Sequence, residues 1–159
     1  MRRLLPPHLV LLLVTGAAAL TALAPVGTAV PGRWRLLGLV PLVAGVVVTV
    51  GGARHFDRVG TNIRTFDDPG HLVDDGLFAR SRNPMYLGFV LLLTGVAALL
   101  GSVVAWLAPI AFVLAADRWY IPFEERRMAA RFGSAFFRYR ERVPRWIGRR
   151  REVADAGHR

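Results

Sequence analysis

The chain has no cysteine and no lysine. Without cysteine there is no disulfide framework, no thiolate metal site and no catalytic thiol. Without lysine, all 21 basic residues are arginine, a bias that reads as GC-rich codon usage rather than as chemistry. Charge is also missing from long stretches, and none lies between Arg82 and Asp117. A channel or transporter marks its path with ionisable groups inside such runs, so that class is disfavoured. No internal repeat is present, and no metal is expected.

What is there is apolar and segregated. Hydrophobic residues make up 53% of the 159 residues, charged ones 20%, and the mean hydropathy is +0.38. That combination needs the charges to be separated from the apolar runs, and they are. The length fits one domain. A net charge of +10 could point to nucleic acid. Here, however, the arginines lie in short segments beside apolar runs, the pattern of cytoplasmic loops facing anionic headgroups. Membrane lipids, not nucleic acid, are the expected partners.

The sequence predicts an all-α integral membrane protein with about four transmembrane helices. Met1-Arg2-Arg3 and the apolar run 9–30 have the look of a signal peptide, with Ala22-Leu23-Ala24 resembling a cleavage site. The run is nevertheless long enough, at ~20 residues, to span, and more apolar segments follow, so an uncleaved first helix is expected. Pro31-Gly32 ends it, and Arg33, Trp34 and Arg35 form an interfacial anchor. A second span covers 36–52, where Gly38, Gly45 and Gly51-Gly52 either offer small-residue faces for close helix contact or are merely tolerated. An arginine-rich loop with turn chemistry at Asp67-Asp68-Pro69-Gly70 and Asp74-Asp75-Gly76 follows. The third and fourth spans, within 84–121, form a hairpin turning at Gly101. Beyond Glu124, Met128, Phe132, Ala135, Phe136 and Tyr139 recur at helical spacing among arginines, which predicts a basic amphipathic helix on the inner leaflet. Residues 1–52 thus form an N-terminal pair of spans and 53–159 the functional core. Both termini face the cytoplasm, and the protein belongs in the inner (cytoplasmic) membrane.

Two polar clusters flank the hairpin. The stretch 76–88, GLFARSRNPMYLG, places Arg80, Arg82, Asn83, Pro84 and Tyr86 at the start of the third span, and Glu124-Glu125 closes the fourth. A hairpin brings its ends together, so these groups come within reach of one another. An ordinary Arg82–Glu125 ion pair would satisfy the same spacing. The alternative is a site for a zwitterion. Arginine and a helix N-terminus, with Pro84 in its first turn, hold a carboxylate. Glutamates accept an ammonium or ribose hydroxyls, and Phe78 and Tyr86 offer ring faces to a base or a sulfonium. S-adenosylmethionine carries all these groups.

Taken in order, GLFARSRNPMYLG, the EE pair, RFG, a tyrosine-bearing helix and RVPRW resemble the isoprenylcysteine carboxyl methyltransferase family. The phospholipid methyltransferases are a related group with a similar two-part site. The resemblance covers about 60–146. It implies S-adenosylmethionine binding at the cytoplasmic membrane face by His71, Leu72, Val73, Phe78, Arg82, Asn83, Pro84, Met85, Tyr86, Glu124 and Glu125. It also implies a lipophilic or membrane-accessible acceptor (carboxylate, thiol or amine), with Arg118 as the nearest residue to orient it. Where the family has Arg-His-Pro, this chain has Arg82-Asn83-Pro84, and asparagine cannot act as acid or base near neutral pH. A reductase of the sterol-reductase type, which shares an Arg-x-Pro-x-Tyr stretch but uses NADPH, and a non-catalytic membrane scaffold are the competing readings. His8 and His158 carry no expected role.

Overall fold

The computed structural model describes residues 5–24, 26–59 and 72–148. Among these the chain is helical, with no strand. Helix α1 covers Pro6–Leu23, entered through Pro6 itself. A 3-10 turn, Gly32–Gly38, runs directly into α2, Leu39–Val59. After a short 3-10 turn at Gly76–Ala79 comes α3, Pro84–Leu100, and then a second 3-10 turn, Val103–Trp106, leads into α4, Leu107–Ala115. A π turn at Ala116–Tyr120 joins α4 to α5, Ile121–Phe132, and α6 covers Ser134–Arg142. Three helical stretches are long and apolar enough to cross a membrane, Pro6–Leu23, Gly32–His55 and Val103–Phe132, and Pro84–Leu100 is a shorter apolar helix.

Two boundaries differ from the sequence reading. The second span, expected to end at Gly52, lies in a helix, α2, that continues to Val59. The helix expected to begin anew near Glu124 instead continues the fourth span through the π turn to Phe132. It breaks only at Gly133, whose φ of +51° is a left-handed conformation that side chains disfavour.

Helix α3 is central, with α2 against one side and α1 and α4 against the other. The α2–α3 contact is made through glycine. Gly38 faces Gly95 and Gly45 faces Gly88, so closely that a Cβ on Gly45 would lie 2.5 Å from the Gly88 carbonyl oxygen. Gly38, the last residue of the 3-10 turn that runs into α2, and Gly45 are seven residues apart, as are Gly88 and Gly95 on α3, the period that keeps one seam facing its neighbour in a left-handed pair. Across α3, Leu93, Ala97 and Phe112 are fully buried, with Val10 and Ala17 of α1 and Ala105 and Ala108 closing around them. Most of the large exposed apolar residues are aliphatic and lie on the outer faces of α1, α2 and α4, where a bilayer would cover them.

At one end the hairpin turn is pinned. Gly101 caps α3 in the left-handed conformation, φ +71°. Its carbonyl accepts from the N–H groups of Ala29 and Val30, while Arg35 Nε donates to the Val30 carbonyl at 3.0 Å. The opposite end gathers the C-terminal end of α2, the start of α3, the π turn, α5 and α6. Nearly all the polar chemistry sits there.

Candidate active site at the polar rim

The first wall is the entry to α3. Pro84 occupies the first turn, and no side chain caps the helix start. Asn83, at the capping position, instead sends its Nδ2 to the Arg145 carbonyl at 2.9 Å, and its own N–H donates to Ser81 Oγ at 3.1 Å. One turn in, the buried Tyr86 donates its hydroxyl to Glu124 Oε1 at 2.8 Å. Its ring stacks on Tyr120 and tilts against Phe112, both at 6.2 Å between centroids.

The second wall is the π turn and the first turn of α5. Five residues wound wider than an α-helix change which side chains face inward, and such turns recur at functional sites. Here Asp117 and Tyr120 are partly sheltered, while Arg118 and Trp119 are exposed. Arg118, expected to orient the acceptor, therefore lies on the outer side of the turn. Its neighbour Trp119 is 72% exposed.

A third element, the RVPRW segment that carried part of the family resemblance but no expected site residue, closes the rim. Residues 143–146, after α6, cross the mouth between the two walls. Arg82 N–H donates to the Pro144 carbonyl at 3.0 Å. Arg145 Nη2 reaches Glu125 Oε2 at 2.8 Å and its Nη1 reaches Asp117 Oδ1 at 3.0 Å. Arg82 Nη2 contacts the other Glu125 oxygen at 3.0 Å. The result is an alternating chain of charges, Arg82, Glu125, Arg145, Asp117. The Arg82–Glu125 pair that the hairpin spacing allowed is thus present, inside a larger network. Burial lowers the pKa of Arg82, an effect that Glu125 opposes; the hydrogen bond to Glu125 raises that of Arg145. Arg82 Nε and Nη1 are buried and have no hydrogen-bond partner. For a guanidinium this is costly, and it is the clearest sign of an anion-binding position at the rim.

The remaining expected residues gather beside α6. Leu72 packs on the cluster of Phe136, Tyr139 and Val143, and Val73 is buried. The apolar face of α6 is therefore covered by protein rather than offered to lipid. The Phe78 carbonyl accepts from Tyr139 Oη at 2.8 Å, and burial raises the Tyr139 pKa. His55, at the end of α2, stacks on Phe78 and bonds Asp75 through Nε2 at 2.6 Å. Met85 lies against Gly52 of α2. His71 falls outside the described residues. The structure thus brings Arg82, Asn83, Tyr86, Glu124 and Glu125 together, and adds Asp117 and Arg145.

The family model for phospholipid methyltransferases matches residues 34–135, more than half of the chain. The chain belongs to the phospholipid methyltransferase family. Its membership implies methyltransferase activity, and the matched stretch contains α2, α3 and both walls of the rim. The family match ends before the 143–146 crossing that carries Arg145. An uncharacterized protein of Haemophilus influenzae is 36% identical over 63 residues, which is 40% of this chain and 100% of that protein. No solved structure matches the chain.

Proposed function

We propose that the protein is an integral membrane S-adenosylmethionine-dependent methyltransferase of the cytoplasmic membrane, acting on a lipophilic or membrane-accessible acceptor. The observation that carries this reading is the rim. A buried arginine with two unpartnered guanidinium nitrogens, an uncapped helix start, a pair of glutamates and stacked tyrosines converge where the apolar helices end.

These residues suit the donor's parts. Arg82 and the N–H groups at the start of α3 would hold a carboxylate. Glu124 and Glu125 would take an ammonium or ribose hydroxyls, and the Tyr86–Tyr120 pair would offer ring faces to an adenine or a sulfonium. When bound, S-adenosylmethionine supplies a methyl group made electrophilic by its sulfonium. The chain's work is then to orient and exclude water rather than to transfer protons. Asn83 fits that division, because its side chain is occupied with the Arg145 carbonyl and has no proton to give at neutral pH. An acceptor carboxylate or thiolate needs no base, whereas an amine acceptor must reach the rim unprotonated.

Orientation follows from charge. Arg126, Arg131, Arg138 and Arg140 are exposed on α5 and α6, at the rim end. Arg33 and Arg35 stand at the opposite end, and this excess supports the reading in which the rim and both termini face the cytoplasm.

The test is transfer of label from methyl-labelled S-adenosylmethionine into the organic extract of membranes carrying the protein, with phosphatidylethanolamine, fatty acids and prenylated cysteine offered in turn. Label above that of membranes without the protein, reduced by Glu124→Gln, supports the reading. Labelling no higher than in those membranes for every acceptor contradicts it.

A further inference from the structure

The two cations on Glu125 are not equivalent. Arg82 is 10% exposed and has Glu125 as its ion-pair partner, so its departure would strand a buried charge. Arg145 is 33% exposed and forked, with Nη2 and Nε on Glu125 and Nη1 on Asp117. It can release Glu125, turn those N–H groups to water and keep Asp117. Its backbone is held separately, because its carbonyl accepts from Asn83 Nδ2 and the Pro144 carbonyl accepts from Arg82 N–H. The segment therefore stays across the rim while its guanidinium swings.

We infer that Arg145 is a built-in counter-cation that a ligand's ammonium group displaces from Glu125, with Asp117 as its second partner. The π turn matters because it carries Asp117 at the place where Arg145 can hold both acids at once. Arg145 is then a specificity-determining residue. A ligand bearing an ammonium replaces the charge that it removes, and one without an ammonium leaves the fork closed. The inference rests on the cofactor reading above and deepens it.

Opposite signs distinguish this role from a merely structural one. Removing Arg145 removes the competitor, whereas removing the Asp117 charge leaves Arg145 nothing but Glu125. Calorimetric titration of the detergent-purified protein with S-adenosylhomocysteine, which keeps the ammonium, is expected to show Arg145→Ala binding about three- to tenfold tighter than wild type, the scale of a partly exposed, forked ion pair. Asp117→Asn is expected to bind weaker by a similar factor, and Arg145→Lys, which reaches one acid at a time, to fall between wild type and Arg145→Ala. Binding of 5′-methylthioadenosine, which lacks the amino-acid part, should be unchanged by Arg145→Ala. If Arg145→Ala does not fold, as judged by its melting profile, the Arg145→Lys and Asp117→Asn pair carries the same sign test. Weaker or unchanged binding on loss of Arg145, or the same sign for both positions, overturns the inference and leaves the cofactor site standing. No binding by wild type overturns the cofactor reading and the inference with it.

Discussion

The closeness of α2 and α3 can be tested with a single methyl group. A Cβ at Gly45 would stand 2.5 Å from both the Gly88 carbonyl oxygen and the Leu92 nitrogen, where ordinary contact begins at 3.4 Å. Both obstacles are backbone, so no side chain can move aside and the helices must separate locally by about 1 Å. Overpacking of this kind costs about 1–3 kcal/mol. Alanine recovers up to about 1 kcal/mol of helix propensity over glycine, so the net loss for Gly45→Ala is about 1–2 kcal/mol. Gly51 is the control on the same helix, since its Cβ would meet only Leu77 Cδ1 at 3.6 Å, an ordinary contact. Gly51→Ala keeps the propensity gain without the clash. In thermal unfolding of the detergent-purified protein, Gly45→Ala should melt below wild type by roughly 2–8 °C, and Gly51→Ala at or above it. Gly45→Ala melting as high as Gly51→Ala would refute the close seam.

Two further outcomes follow from the rim. Glu125→Ala leaves the buried Arg82 without its counter-charge and should cost about 3–5 kcal/mol, whereas the double variant Arg82→Met/Glu125→Leu, which buries no charge, should recover most of that loss; unfolding of both variants in parallel checks it, and a double variant no more stable than Glu125→Ala counts against it. Tyr139, whose hydroxyl donates to the Phe78 carbonyl, has its pKa raised by burial. A raised folded-state pKa gives stability that is complete below the unfolded value of about 10 and is lost as pH climbs above it. Melting temperature measured from pH 8 upward should therefore fall more steeply above about pH 10 in wild type than in Tyr139→Phe, and identical slopes would remove the argument.

The sequence was most informative where physics acts along one dimension. Apolar run lengths located the helices, and the hairpin at Gly101 brought Arg82, Asn83, Tyr86, Glu124 and Glu125 to one rim because chain connectivity left them no other place. The contact role of Gly38 and Gly45 was visible as a possibility, yet only the backbone distances separate a seam from tolerated glycine. What stayed hidden depends on side-chain rotation and long-range closure. Nothing in the 116–120 sequence announces a π turn, so the inward Asp117 and outward Arg118 could not be told apart by α-helical spacing. Asp117 did carry one signal, as the acidic residue that ends the charge-free run. Arg145 sits 20 residues beyond Glu125 across the break at Gly133, and among so many arginines its position gave no hint of the contact. Likewise, the apolar face of α6 has the periodicity of a lipid-facing helix, and only the tertiary contact with Leu72 shows that protein covers it.

The most direct test of the rim as a cofactor site is the affinity of the detergent-purified protein for S-adenosylhomocysteine, measured by calorimetry beside Tyr86→Phe and Glu124→Gln. Tyr86→Phe removes the donor of the hydrogen bond between Tyr86 and Glu124, Glu124→Gln removes the negative charge while keeping an acceptor oxygen, and both leave the Arg82–Glu125 pair intact. Saturable one-to-one binding by wild type, weakened about tenfold or more by Glu124→Gln and less by Tyr86→Phe, is the predicted result. Well-folded wild-type protein that takes up no ligand, or binding indifferent to both substitutions, would contradict it.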